Sequence, residues 1–369
     1  MTVAAELLAQ GHKVTIWDDR VDNVIEKSLL YLIECSDEIM ISAFTGYQLS
    51  EAHRFAKSIK KVYLNKKVIL GGPHATALPS QTLESPYIDE VFVGEMDTGE
   101  YLLPYQLIDV DKYVNPETKR FIYVSSQGCP GVCTFCATKQ KRPFKLLPME
   151  RVRTDIDNLM ARYPFEECVF FDATLFSMSL RVLCISELMK KHKLSWIADA
   201  RAPEIAKEPN LAVLVERGLK QLTIGLESGS PRIVDMMNKG KNHLEHFQQA
   251  AKKLAQFPIK MVSGVVFGTP GETVEDLQQT IDYIKRIKEI NPNFQISTTF
   301  FRPLPGTEMT EMAKEYGYRE PRSLEEYAEL GEQSHYSYNE YRDAPWIPEP
   351  DKHRALYERF RSEHKDLFI

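Results

Sequence analysis

Apolar positions along the front of the chain switch repeatedly between helical spacing and short continuous runs. VAAELLAQGH, VIEKSLLYLIE and EAHRFAKSIKKVYLNKK place their apolar residues three and four apart, as amphipathic helices do. Between them KVTIWD, EIMISAF, VILGG and EVFVGE read as strands. These runs are largely apolar rather than alternating, which predicts strands covered on both faces and joined by crossover helices. The pattern lapses over residues 100–119 into a linker, LLPYQLIDVDKYVNPETK.

A second series begins at FIYVSSQG and runs through CVFFDA, SWIADAR, QLTIGLE, KMVSGVVFG and FQISTTFF. These six extended runs alternate with five helical ones, the pattern of an open or closed parallel barrel. Beyond Arg319 the chain turns charged and aromatic (HYSYNEYRDAPWIPEP), then amphipathic in HRALYERFRSEHKDLF. The expectation is an α/β protein: a doubly wound domain over 1–99, a linker over 100–119, a partial six-stranded barrel over 120–318, and an α-rich extension over 319–369 that packs across the barrel or covers its mouth.

Composition changes little in this picture. With 369 residues, a net charge of -6, 43% hydrophobic and 27% charged residues, the chain is ordinary for a globular protein. Nothing marks a nucleic-acid surface. No stretch approaches the roughly 20 apolar residues of a membrane helix, and no secretory leader pattern opens the chain, so a cytoplasmic setting is expected. Of the 6 cysteines, Cys35, Cys168 and Cys184 are expected as small buried hydrophobes, with all thiols reduced.

The other three crowd into GCPGVCTFC as Cys129, Cys133 and Cys136. They follow the first barrel strand, where barrel enzymes keep their chemistry. Iron–sulfur clusters take one thiolate per iron, so three ligands on a four-iron cluster leave one iron open to a small molecule. The alternative is zinc held by three thiolates and a histidine. No histidine lies within a few residues, although His74 and His192 stand farther off.

CPGVCTFC, with aromatic Phe135 before its last cysteine, resembles the cluster motif of the radical SAM superfamily, and the resemblance extends from about Arg120 to Gly317. It implies a 4Fe-4S cluster whose open iron chelates S-adenosylmethionine (SAM). An external reductant such as flavodoxin or ferredoxin then drives cleavage to a 5′-deoxyadenosyl radical. The resemblance places Asp172 and Thr174 of FFDATLF near the methionine amino group, without the family's usual Gly-Gly-Glu. Arg201 of ADAR is either a partner of the methionine carboxylate or a surface ion-pair residue. In IGLESGSPRIVDMMNKG, Gly225 and Gly229 allow close approach, and Glu227 and Ser228 are expected at the ribose or methionine end. SGVVFGTPGET matches the family's GxVxGxPGE form at Gly264, Gly268, Pro270, Gly271 and Glu272, where small residues let the adenine lie against backbone, and RPLPGTEM, with Pro303, Pro305 and Gly306, completes the series.

ILGGPHAT resembles the cobalamin-binding domain that precedes the barrel in one class of this superfamily. Gly71, Gly72 and Pro73 would then pass beside the corrin, with Ala43, Thr45 and Gly46 of AFTGY as a second wall. Any doubly wound domain can also use Gly-Gly-Pro to turn after a strand. His74 is either a cobalt ligand or a solvated turn residue. The strand expected before the first helix, central in a 2-1-3-4-5 sheet between VTIWD and IMISA, is missing. Either the recorded start lies downstream of the real one, the sheet has closed up, or the domain is vestigial.

The leading expectation is cobalamin-dependent methylation of an unactivated carbon in a small-molecule, lipid or tetrapyrrole-type substrate. The alternative is a non-methylating radical reaction with a vestigial front domain. Methylthiolation would need three front-domain cysteines, and only Cys35 lies there. The basic run Thr138 to Lys145 suits an anionic substrate or a reductant, or is simply solvated. Tyr336, Tyr338, Tyr341 and Trp346 fit core packing.

Overall fold

The computed structural model describes residues 1–18, 21–22, 26–95, 101–137, 143–337 and 344–369. In the front region the elements run α1 (Thr2–Ala9), α2 (Glu26–Cys35), β1 (Glu38–Ser42), α3 (Tyr47–Val62), β2 (Lys67–Gly71), α4 (Pro73–Ala77), α5 (Pro79–Leu83) and β3 (Glu90–Val91). The three strands form a parallel sheet in the order β1-β2-β3. Helix α3 buries Leu49, Ala52, Ala56 and Ile59, its helically spaced apolar stripe, in one cluster with Val68 and Leu70 of β2.

KVTIWD does not form a strand. Among the described residues no strand lies beside it to offer a ladder. The segment is instead tied to the linker, where Tyr113 donates to Asp18 (3.1 Å). Among the described residues β1 pairs with β2 alone. The sheet has therefore not closed up around the gap.

The barrel region begins with β4 (Arg120–Tyr123) and the short antiparallel pair β5 (Ser126–Gln127) and β6 (Lys145–Leu146), followed by α6 (Met149–Arg162). It continues through β7 (Glu167–Phe170), α7 (Ser179–Lys191), β8 (Ser195–Ala200), α8 (Ala202–Lys207), α9 (Leu211–Glu216) and β9 (Leu219–Ile224). The last part holds α10 (Pro231–Met236), α11 (His243–Leu254), β10 (Lys260–Phe267), α12 (Val274–Ile290), β11 (Phe294–Phe300) and α13 (Glu308–Glu315). Six parallel strands lie in the order β4-β7-β8-β9-β10-β11, and the end strands β4 and β11 do not pair, so the barrel is open.

One row across this sheet, Tyr123, Phe170, Ala198, Leu222, Met261 and Phe294, is fully buried under the helices. Because strand side chains alternate, Ile122, Phe171, Asp199 and Thr223 stand on the opposite, concave face. Ile122 is 64% exposed and Phe171 67%. Ile122 belongs to the edge strand β4 and Phe171 lies just past the end of β7, so their exposure marks the open side of this face.

The C-terminal extension divides between the two regions. Helix α14 (Leu324–Ser337) lies on α3, with Leu324 and Tyr327 in the front core and Ser50 donating to the Ala328 carbonyl. Helix α15 (Pro350–Glu363) returns to the barrel against α12, and Ile369 donates to Ile296 (3.1 Å). Only this second half packs on the barrel; Leu324, Tyr327 and Ala328 form an apolar stripe that finds its partner on α3.

Cys168 is buried, but Cys35 and Cys184 are exposed, contrary to expectation. Cys35 ends α2, and Cys184 lies off the stripe of Val182, Ile185 and Met189 that α7 buries. Among the described residues no helix is long and apolar enough to cross a membrane.

Candidate active site

The cysteine loop is fastened at its middle. The Thr134 amide donates to Met237 O (3.1 Å) and its hydroxyl to Met236 O (2.9 Å), while the Met309 amide donates to Thr134 O (3.1 Å). The end of α10 and the start of α13 thus grip the loop from two sides. A β-carbon at Gly131 would lie 3.3 Å from Cys129 Sγ, 3.9 Å from Cys133 Sγ and 3.9 Å from Arg201 Cζ. The Gly131 amide donates to Cys129 Sγ (3.3 Å). All three cysteine side chains are half-buried and free.

Beneath the loop sits Lys239. Its ammonium is 2.9 Å from Glu227 Oε1 and 5.9 Å from the centroid of the Phe135 ring. Burial works against its charge, but Glu227 and Cys133 outweigh burial and hold its pKa above the ordinary lysine value. Burial pushes the Cys133 thiol up, opposed by Lys239. Glu227 itself adopts φ 65, a left-handed conformation costly for a side-chain-bearing residue. Backbone bonds hold it there: its amide donates to Gly264 O (2.9 Å) and its carbonyl accepts from the Val266 amide (2.8 Å). A β-carbon at Gly225 would collide with the Glu227 carboxylate and lie 3.1 Å from Lys239 Nζ. Glycine here makes room for the ion pair.

The expected site residues thus divide into two groups. Cys129, Cys133, Cys136, Phe135, Arg201, Gly225, Glu227 and Gly264 gather around Lys239. Asp172, Thr174 and Ser228 face into the scaffold. Asp172 accepts from the Ser125 amide (3.1 Å), the Ser125 hydroxyl (3.0 Å) and the Ser126 hydroxyl, and burial raises its pKa against those donors. Thr174 donates to Glu204, and Ser228 shares a 2.9 Å hydrogen bond with Thr280 of α12. Gly229 serves helix packing, since a β-carbon there would come within 2.8 Å of Thr280 Cα.

The turn at Gly268, Thr269, Pro270 and Gly271 is clamped by a tail residue. Trp346 Nε1 donates to Gly268 O (2.8 Å), and the Gly271 amide donates to Trp346 O (2.9 Å). Glu272 is buried, accepts from the Thr269 amide (2.8 Å) and lies 3.6 Å from His353 of α15. It supports the turn from behind rather than facing a ligand. Lys239 and Trp346 are the functional candidates that sequence reasoning missed. Lys239 stood inside a quoted motif, but only the helix between it and Glu227 reveals their contact.

In the front region His74 is fully buried, not solvated. Its Nδ1 is 3.0 Å from Thr45 Oγ1, and its ring meets Tyr327 of α14 edge-on at 4.8 Å. Burial lowers its pKa to about 4, so it is neutral. Gly72, at φ 93, packs so tightly on Ala43 that a β-carbon would come within 2.8 Å of its carbonyl. Gly46 is open, with nothing within 4 Å of the corresponding position. Around these loops, at the carboxyl ends of the strands, Phe44, Phe92 and Val93 present exposed apolar surface. Ligands of open α/β sheets bind at such ends, and a flat macrocycle suits this surface.

Residues 123–284 match the sequence model of the radical SAM superfamily, and residues 1–102 that of the B12 binding domain. The chain belongs to the radical SAM superfamily, in its B12-binding class. This radical SAM chain is 26% identical over 357 residues to an uncharacterized methyltransferase of Pyrococcus horikoshii, covering 84% of this chain and 76% of the relative. It is 24% identical over 347 residues to bacteriochlorophyllide d C-12(1)-methyltransferase of Chlorobaculum tepidum, covering 85% and 73%. Its fold matches the radical SAM methyltransferase TsrM of Kitasatospora setae with a TM-score of 0.71 at 14% identity, over 100% of this chain and 87% of that one.

The cofactors of this radical SAM enzyme are a 4Fe-4S cluster, SAM and cobalamin. The donor set fits the cluster. Three free thiols on one loop, with Gly131 leaving space between Cys129 and Cys133, supply one thiolate to each of three irons.

Proposed function

We propose that this enzyme methylates an unactivated carbon of a small-molecule substrate. Bound together, the cluster and SAM would supply radical chemistry for breaking an unactivated C–H bond, and cobalamin would supply the methyl group. The observation that carries the reading is the presence of both cofactor domains in one chain. The chlorophyllide relative, which methylates a carbon by its name, supports it.

The chain's own groups have definite tasks in this reading. Cys129, Cys133 and Cys136 hold the cluster, and Phe135 with Lys239 closes its underside. Arg201, beside the loop, pairs with the methionine carboxylate through its planar fork. The Glu227 carboxylate, fixed by Lys239, accepts from the cofactor's amino or ribose groups. Gly225 and Gly264 leave the space, and the Trp346-held turn borders the adenine. In the front domain Ala43, Thr45, Gly46, Gly71, Gly72 and Pro73 line the corrin, with His74 behind them rather than on the metal. An external flavodoxin or ferredoxin delivers the electron, and the setting is cytoplasmic, which accords with six free cysteines. No nucleic acid takes part.

Non-methylating radical chemistry is the second reading, favoured by the front sheet, in which, among the described residues, β1 pairs with β2 alone. Anaerobic reconstitution with hydroxocobalamin separates the two. Near-stoichiometric corrin retained per chain is the expected result; none, beside intact iron–sulfur absorption, moves the assignment to the second reading.

A further inference from the structure

The concave face of the barrel sheet is layered. Its upper layer holds Arg201, Gly225 and Gly264, the residues gathered at the cysteine loop. Two residues earlier on the same strands, roughly 6.6 Å deeper at about 3.3 Å per residue, stand Asp199 of β8 and Thr223 of β9, directly paired across the ladder. To one side of them the face is apolar, with Ile122, Val169 and Ile197 side by side in the strand register and Phe171 at the end of β7; to the other, Gln221 stands beside Ile197 and Val262 beside Thr223.

An acidic residue is a poor choice for the middle of a parallel strand among such neighbours. Burying its charge is unfavourable unless donors compensate. Burial carries its pKa up to about 6, the neighbouring Thr223 hydroxyl working against that shift and the charge of Asp172 adding to it. A carboxylate has about four acceptor sites, so the Thr223 hydroxyl leaves capacity for a ligand. Apolar groups as exposed as Ile122 and Phe171 likewise call for a cover.

We infer that this recess is the substrate pocket, that Asp199 and Thr223 are its polar anchor, and that the substrate is an apolar small molecule presenting one hydroxyl or amino donor to them. The inference rests on the radical reading of the site above it, and it narrows the substrate class. The donor anchored at Asp199 would fix which carbon faces the layer above, so the pair determines regiochemistry as well as affinity.

The test uses the cluster-loaded chain with SAM bound and its isoleucine δ1 methyl groups labelled with carbon-13. Three probes of similar shape are titrated: 2-phenylethanol, 2-phenylethylamine and ethylbenzene. The alcohol and the amine should shift the Ile122 and Ile197 methyl signals and bind about tenfold to a hundredfold more tightly than the hydrocarbon, the usual worth of a hydrogen bond to a charged group. D199N and T223V should each narrow that gap while iron content and circular dichroism stay unchanged. Should D199N fail to fold, T223V, which leaves the carboxyl in place, still decides the point. The inference is overturned if no probe moves those methyl signals, if the gap persists in the variants, or if D199N weakens SAM binding and leaves the probes alone. A chain that shows the preference but retains no corrin keeps this pocket and loses methyl transfer.

Discussion

Lys239 and Glu227, 12 residues apart in sequence, form a buried ion pair of 2.9 Å directly beneath the loop that carries Cys133. Neither side chain is more than 13% exposed. Removing one member of such a pair strands the other's charge, at about 3–5 kcal/mol. K239M is therefore expected to lower thermal stability by that order and to weaken SAM binding, while iron and sulfide stay near wild-type content. Unchanged SAM affinity would show that the pair supports the fold alone.

The three cluster ligands should behave alike. C129A, C133A and C136A are each expected to abolish reductive cleavage of SAM, read as 5′-deoxyadenosine formed under dithionite. Full product from any one of them would remove that cysteine from the ligand set.

Asp199 predicts a pH dependence with a definite sign. Its folded pKa, about 6, lies above the ordinary aspartate value of 3.8, so the fold favours the protonated carboxyl. That contribution is present below about pH 4 and is lost as pH rises through 6. Relative to D199N, the wild-type chain should lose stability over this window, by at most about 3 kcal/mol. Melting curves of the two proteins from pH 4 to 7 test it, and parallel curves would contradict it.

Trp346 should matter to a cofactor it does not touch. W346F keeps most of the ring packing but leaves the Gly268 carbonyl without its indole donor, at a cost of about 1–3 kcal/mol. The expected result is weaker SAM binding with the cluster content unchanged, measured by titration of the reconstituted protein.

Much of this was legible in the sequence because local pattern and tertiary role agree. The six barrel strands follow from apolar runs that the fold buries in one row from Tyr123 to Phe294. The cysteine loop follows from spacing alone. What escaped depends on contacts between distant segments. KVTIWD has a strand's composition but no neighbour to pair with, so propensity misled. Asp172 and Thr174 occupy a motif position, yet the side chains that meet them come from elsewhere, Ser125 from the turn after β4 and Glu204 from helix α8. His74 reads as a turn residue until Tyr327, from a helix beyond the barrel, covers it.

The route of the tail has a mechanical consequence. The chain leaves the barrel after α13, lays α14 on the front domain and comes back to the barrel with α15. The front domain is therefore held to the rest of the chain in two ways: covalently by the linker before β4, and by the seat of α14 on α3. A body on a single tether can swivel freely, whereas one fastened along separate lines can only rock. Any movement of the front domain against the barrel must therefore either carry α14 with it or strip Leu324 and Tyr327 out of the front core.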